Sequence, residues 1–529
     1  MGGELVFHSL NVILLTMLVT PLVLWRYRRA VLAGMQTKLG EPLPIAPARG
    51  ARPRSIDGAT LTAEAALVWE ARLRRRIFAA VVSAVLIAAL PLSVHDLLLR
   101  ELPVTPAHVF LDAGVAALMA VPMFGVLTAT SFWRTVALGL ATLVGFAAIG
   151  VVLTVVERLF ADRPLTLQQA MVFVAFVEFA ALKLSAPLLL GWAIGARRVR
   201  GVAPFVFAGL LVFAVAPLFG IRLTQWLAGM QWSEGLVIAG PMIDTGFVIL
   251  ALPVGLLAWW RLKVLARSYE AKRFSDAQLL CHSWWLLFVA EHAVTLVNER
   301  PGAAMLVQVV VVSVVAYLLL PLLLARGLAW AYSGQRPPRR TLLLLRVFGD
   351  TARTTALFER IASRWQRFGP VTMIAAPDVV AATVDPGDLL RFVSGRVATS
   401  FVNSRDDLVQ RLATMDVEPD RDGRYRINDF CCRDDTWRAT VVALIARADA
   451  VVMDLRGFTV QRHGCEFELQ QLAARTSHDR IVLVVDSSTD RALLARTIPP
   501  EATMRTMEVR RGNARQADEA FAALLAAAA

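Results

Sequence analysis

The first 325 residues are dominated by long apolar runs, and the remainder by short ones. Nine runs are long enough to cross a hydrocarbon layer of about 30 Å, which takes about 20 helical residues. They fall at roughly 5–25, 77–98, 107–128, 135–156, 168–195, 203–221, 241–260, 279–297 and 302–325. Beyond the Pro- and Arg-containing stretch SGQRPPRR the period changes. TLLLLRVF (341–348), VTMIAA (371–376), AVVMDL (450–455), IVLVVD (481–486) and MRTMEVR (504–510) read as strands. Between them, 353–368, 434–448, 465–475 and 491–497 read as helices, and the Ala-rich tail as another. In 377–430 only helical patches at 387–397 and 405–414 and a polar turn, EPDRDG, are legible. Short, continuously apolar strands alternating with helices predict a parallel sheet covered on both faces. The expected layout is a polytopic α-helical domain over 1–333, a linker over 334–340, and a doubly wound α/β domain over 341–529.

Charge sharpens the picture. Mean hydropathy is +0.56 and only 18% of residues are charged, too apolar for an ordinary soluble chain of 529 residues. The net charge is +13. Residues 341–529 carry about 25 Arg, no Lys and about 25 acidic residues, so nearly all of the excess sits earlier, in short runs flanking the apolar segments. That distribution speaks for membrane topology and against a nucleic-acid partner. With the N-terminus outside, the basic runs at 26–76, 196–202 and 261–277 and everything after 325 lie inside. The first run has no basic residue before it and no cleavage site, so it reads as a span and not a leader. Abundant Arg and Ala with little Lys is the composition of a GC-rich bacterial genome, which makes the expected location a bacterial inner membrane with the α/β domain in the cytoplasm. Residues 61–75 read as a short amphipathic helix in the loop 27–76. Four cysteines, none in CxxC spacing, fit neither a disulfide framework nor a zinc site. Asp112, Glu178, Asp244 and Glu291 fall inside expected spans, where acids serve transport or pair between helices.

In an open α/β sheet, ligands bind beyond the carboxyl ends of the strands. That rule selects Phe348, Gly349 and Asp350 after the first strand, and Asp454 and the segment from Gly457 to Glu468, Gly464 included, after AVVMDL. No Gly-rich phosphate loop, P-loop or HExxH is present. Two carboxylates, Glu466 and Glu468, open the helix that follows, about 200° apart around its axis, so one at most faces a cleft. An acid in a first turn also favours the helix dipole, by about 0.3–1 kcal/mol.

The run from DDTWRATVV through ADAVVMDLRGFTVQRHGCEFELQQLA resembles the central part of a Toll/interleukin-1 receptor (TIR) domain. There a strand leads through a loop to a helix opening W-C-x-x-E-L, and Cys465, Glu468 and Leu469 fall on matching positions. Gly464 stands where that family has Trp, Asp454 where it has Ser, and no RDxxPG loop follows the second strand. The same run resembles nucleoside 2-deoxyribosyltransferases, which share a flavodoxin-like layout and an acidic strand end followed by Gly and Glu. Both resemblances imply cleavage of an N-glycosidic bond by a Glu, a role that falls on Glu468, and the TIR resemblance implies NAD as a substrate; the strand-end rule puts Phe348, Gly349, Asp350, Asp454, Gly457 and Gly464 around the ligand. No metal or required cofactor is implied. The expected partners are the bilayer, a nucleotide, and further copies of the chain through the membrane bundle or the α/β domain. The contrasting expectation is a non-enzymatic regulatory or interaction module attached to a transporter-like or sensor bundle.

Overall fold

A computed structural model describes residues 2–37, 42–45, 63–99, 120–128, 263–299, 303–334, 336–346, 360–375, 386–500, 502–509 and 514–528, with isolated positions between them. The chain forms two compact units. One comprises Met1–Val23, Ala80–Arg326 and Asp385–Leu390, the other Leu24–Ala79, Gly327–Val384 and Arg391–Ala529.

In the first unit the described elements are helical. Helix α1 covers Gly2–Met35, α2 Ala63–Leu99, α3 Ala120–Thr128, α4 Asp276–Glu299 and α5 Ala303–Ala331, the ends of α1, α2 and α5 belonging to the second unit. Among the described residues two stretches are long and apolar enough to cross a membrane, Glu64–Leu99 and Val307–Ala331. They coincide with the expected spans at 77–98 and 302–325. The expected spans at 168–195 and 203–221 lie outside the described residues, as do Asp112, Glu178 and Asp244. Glu291 falls on α4. Helices α4 and α5 are joined by Trp285, fully buried, whose indole N–H donates to the Ala316 carbonyl at 2.9 Å.

The second unit is built on seven strands: β1 Leu342–Arg346, β2 Val371–Ile374, β3 Phe401–Val402, β4 Ile427–Cys432, β5 Ala450–Asp454, β6 Ile481–Val485 and β7 Arg505–Glu508. All pair in parallel, in the order β3-β4-β2-β1-β5-β6-β7. The helices between them are α6 Pro386–Val393, α7 Arg405–Ala413, α8 Trp437–Ile445, α9 His463–Arg475, α10 Arg491–Thr497 and α11 Ala514–Ala528, with a further helical turn at 360–365. This is the doubly wound α/β architecture the alternating runs predict. Its reason is visible in β1, β5 and β6, which are buried at every position. Odd-numbered residues Leu343, Leu345, Val451, Met453, Leu483 and Val485 join a core with α7, α8, α9 and α10. Even-numbered Leu342, Leu344, Val452, Val482 and Val484 join a second core with 360–368 and α11. A period of two with helices on both sides leaves no strand position for a polar residue until the strand ends.

The α/β unit takes in more chain than 341–529. The start of α2 is one of its core helices: Ala66 is fully buried in the second core and Trp69 packs on Phe368 at 5.3 Å between ring centroids. Glu70, also fully buried, receives Arg364 Nη2 on Oε2 and Arg367 Nη1 on Oε1, both at 2.7 Å, with Arg74 Nη2 3.4 Å away. Arg364 also holds Asp518 of α11 at 2.6 Å and lies 4.1 Å over the ring of Phe521. Burial alone would push the Glu70 carboxyl up. The charge of Arg367, the hydrogen bond and charge of Arg364 and the charge of Arg74 outweigh it and hold the group below the usual range. The end of α1 is seated on the unit as well. The Met35 carbonyl accepts from the Asp434 N–H at 3.1 Å, the Gly34 carbonyl accepts from Arg433 Nη1 at 3.2 Å, and Tyr27 meets Phe392 edge-on at 5.6 Å.

The linker 334–340 is docked too. The Arg340 carbonyl accepts from the Trp365 indole at 2.9 Å, and Arg339 Nη1 donates to the Val417 carbonyl and to Glu418 at 3.1 and 3.0 Å. Just ahead of it, Tyr332 is buried against Gly423, where a Cβ would collide with the phenol ring and φ is +77°. No side chain satisfies both demands there.

Candidate functional site

The order of the sheet fixes where a site should be. From β1 the chain builds outward through β2, and β4 and β3 lie beyond it; after β4 it returns across β1 to β5 and builds outward the other way. The reversal lies between β1 and β5, whose carboxyl ends are register partners, Arg346 opposite Asp454. The crevice outside such a reversal is where doubly wound sheets bind ligands. Phe348, Gly349 and Asp350 follow β1 in sequence but lie outside the described residues.

Helix α9 comes down on this reversal. Cys465, in its first turn, is buried, and its thiol donates to the Arg346 carbonyl at 3.8 Å. Helical spacing puts Cys465, Glu468, Leu469 and Leu472 on one face, and all four are buried. Glu468 is 2% exposed and, among the described residues, its Oε2 has no hydrogen-bond partner. Burial is the cause of its shifted ionisation: the carboxyl is pushed up to about 8. At neutral pH it is therefore mostly a neutral acid. Glu466 points elsewhere, half-buried and 3.8 Å from His463 Nδ1.

Asp454 is fully buried, but its carboxylate is engaged. Arg456 grips it with Nε at 2.9 and 3.1 Å from the two oxygens and Nη2 at 2.6 Å, and the Arg456 N–H adds a 3.1 Å bond. By strand alternation Asp454 belongs to the face of Val452, whereas α9 and Glu468 cover the face of Met453. The two acids therefore belong to opposite faces of the sheet.

Gly457 turns the chain immediately afterwards with φ +75°, and its N–H donates to Ser488 Oγ at 2.9 Å. The loops after β5 and β6 are laced together at two further points. Thr489 Oγ1 donates to the Leu455 carbonyl at 2.9 Å and the Asp490 N–H donates to the Phe458 carbonyl at 3.0 Å, while within the second loop Asp486 Oδ1 accepts from the Ser488 N–H. Ser488 and Thr489 are not singled out by the strand-end rule, although a Ser-Ser-Thr-Asp run after IVLVVD is a turn signal. Gly464 lies against Trp437 of α8: a Cβ there would be 3.7 Å from the indole. The Trp437 indole stacks edge-on with Phe467 at 5.5 Å beneath the guanidinium of Arg438.

Among the described residues no group of three or more His, Cys, Asp or Glu side chains is placed to hold a metal ion. None of the four cysteines is in a disulfide, and all four are buried. Burial pushes the Cys432 thiol up to about 12, which makes it a poor nucleophile.

Compared with known proteins, the chain matches no family model, no curated protein and no solved structure.

Proposed function

We propose that the chain is a bacterial inner-membrane protein of about nine spans, with a cytoplasmic TIR-like α/β domain that binds a nucleotide at the β1–β5 reversal and breaks its N-glycosidic bond. NAD is the substrate class and Glu468 the catalytic residue. One observation carries this reading: a glutamate 2% exposed, with an oxygen left unpartnered among the described residues, on the face of α9 whose Cys465 meets the carboxyl end of β1 at the reversal of strand order.

The chemistry follows from what such a group lacks. A buried carboxyl without a counter-charge is least costly when protonated. A cationic N-ribosyl pyridinium brings a positive charge, and as its C–N bond lengthens that same charge passes from the ring nitrogen to the ribose in an oxocarbenium-like state. It would supply the missing partner and draw the proton off Glu468 to water. The carboxylate would then stabilise the ribosyl cation in a site of low dielectric, where one charge acts strongly on another. Nicotinamide leaves with the bonding electron pair. Water adds to the ribosyl carbon and loses a proton, giving ADP-ribose. Asp454, held by Arg456, and the laced loop Gly457–Ser488 would form a rigid rim. The membrane part of the reading is supported by the two long apolar helices and the charge distribution of the sequence.

The test is nicotinamide release from NAD by the full chain in detergent, wild type against Glu468→Gln. The variant should lose about 100-fold or more. Wild type without turnover or NAD binding would sink the enzymatic reading. It would leave the regulatory module, which is favoured by the way the ends of α1 and α2 are built into the α/β unit. A periplasm-active reporter fused after Ala529 should stay silent, and a bright signal would take one span from the count.

A further inference from the structure

The four helices that cover the first core begin in two different ways. Helix α7 starts on Ser404, whose hydroxyl accepts from the Asp407 N–H, and α10 on Asp490, whose carboxylate accepts from the Leu493 N–H. Thr436 before α8 and Arg462 before α9 make no such bond. The Thr436 hydroxyl turns back instead and accepts from the Arg433 N–H at 2.9 Å, closing a turn over Arg433–Thr436. A helix start without a side-chain cap is less stable, and its opening turn depends on what holds it from outside. For α8 that is the end of α1 and the chain just beyond, all within the same compact unit. The Gly34 carbonyl accepts from Arg433 Nη1, the Met35 carbonyl accepts from the Asp434 N–H, and the Leu43 N–H donates to the Asp435 carbonyl at 3.1 Å. Arg433 is buried; it also donates through Nε to Asn403 Oδ1 at 3.0 Å and lies 5.1 Å from the Phe401 ring centre. Gly34 lies against the same ring, where a Cβ would come within 2.5 Å of Phe401 Cζ. Three consecutive residues leading into α8 are thus held by 34–43.

The next link is aromatic. Trp437, the first residue of α8, lies against Gly464 and meets the Phe467 ring of α9. Phe467 directly precedes Glu468, which shares the buried face of α9 with Cys465, Leu469 and Leu472. Contacts therefore run from the α1 carbonyls through Arg433–Trp437 to the opening turns of α9, and neither helix start on the way has a side-chain cap of its own. Elements with few restraints of their own open first when an outside contact is lost. We propose that the end of α1 regulates the site. Seated, it fixes the start of α8 and, through Trp437, the opening turns of α9. Withdrawn, it frees them, and the Glu468 carboxyl loses its dry setting. As control of a reaction this rests on the function proposed above; as a coupling of α1 to α9 it rests on the contacts alone.

The experiment is amide hydrogen exchange of the full chain in detergent, read by mass spectrometry on the peptides of α9, with β6 as internal reference. Arg433→Gln removes the bond to Gly34, and Gly34→Ala pushes the end of α1 off Phe401. Either should speed exchange over His463–Leu469 by about tenfold or more while Ile481–Val485 keeps its protection. Arg447, two residues past the far end of α8, donates to the Leu412 carbonyl at 2.7 Å. Arg447→Gln loses that bond and should leave α9 as in wild type. Nicotinamide release from NAD should fall in Arg433→Gln and hold in Arg447→Gln. Unchanged exchange of α9 in both α1-contact variants, an equal rise over Ile481–Val485, or the same rise in Arg447→Gln overturns the coupling. Faster exchange of α9 with nicotinamide release unaltered overturns the regulation. If wild type releases no nicotinamide, the reaction falls, and exchange alone still decides the coupling.

Discussion

Two glutamates in the α/β unit are equally hidden and opposite in character. Glu70 and Glu468 both lie on helices and are exposed by no more than 2%. Glu70 meets Arg364, Arg367 and Arg74, and its carboxyl is held low. Glu468 has no ion-pair partner among the described residues, and burial pushes its carboxyl up to about 8. Burial sets the size of the penalty on a charge, and the neighbours decide whether the charge survives it. The capacity of Glu70 to bind anything further is used up in joining α2 to the sheet. Glu468 has capacity left over, which makes it the candidate for chemistry.

The strongest way to break the contrast is to remove the paired member. Glu70→Ala takes the counter-charge from two buried arginines and should destabilise the unit by about 3–5 kcal/mol, read from denaturant unfolding of the full chain. A loss under about 1 kcal/mol would show that other groups carry those arginines. For the same reason a fragment of 335–529, lacking Ala66, Trp69 and Glu70, should unfold far more readily than the same residues in the whole chain.

The second test uses pH, because the two groups act in opposite windows. The folded-state value of Glu468 is raised above the usual 4.5. The native state therefore holds a proton that the unfolded chain has lost, and stability falls as pH rises from about 4.5 to 8. One proton over that window amounts to about 3–5 kcal/mol. Glu468→Gln should flatten this slope. Glu70 is depressed, so its contribution is present above the ordinary carboxylate value and disappears as pH falls through the lowered one. Melting curves of wild type, Glu468→Gln and Glu70→Gln across pH 4 to 9 separate the two, and a Glu468→Gln profile parallel to wild type would remove the claim that Glu468 is neutral in the fold. The smallest effect belongs to Glu466→Gln, which should stay within about 0.5 kcal/mol and leave the slope unchanged. A larger effect would mean that Glu466 also points inward.

Much of the sheet was legible because its central strands are uninterrupted apolar runs, as in Leu342–Leu345, Ala450–Met453 and Ile481–Val485. Strand β4 was not, because INDFCC opens with an Asn and an Asp on its half-buried end and follows a polar turn. Strand β3 is two residues long and gives no period at all. The inward face of α9 could be read from Cys465, Leu469 and Leu472, which carry Glu468 with them. That Asp454 is clasped by Arg456, two residues away, follows from no spacing rule. Glu70 was out of reach: in LVWEARLRRR it looks like one acid among solvated bases, and both of its buried partners lie nearly 300 residues further on.

That separation also orders events at the ribosome. Residue 364 is made 294 positions after residue 70. At about 5–20 residues per second, the start of α2 waits roughly 15–60 s for the first of its two buried arginines, and longer for the helix that carries Asp518. Through that interval Glu70 must remain hydrated, although the helix it opens has already been synthesised. The α/β unit thus cannot close until translation is almost over, and a premature stop anywhere after α5 strands a charged helix start with nothing to receive it.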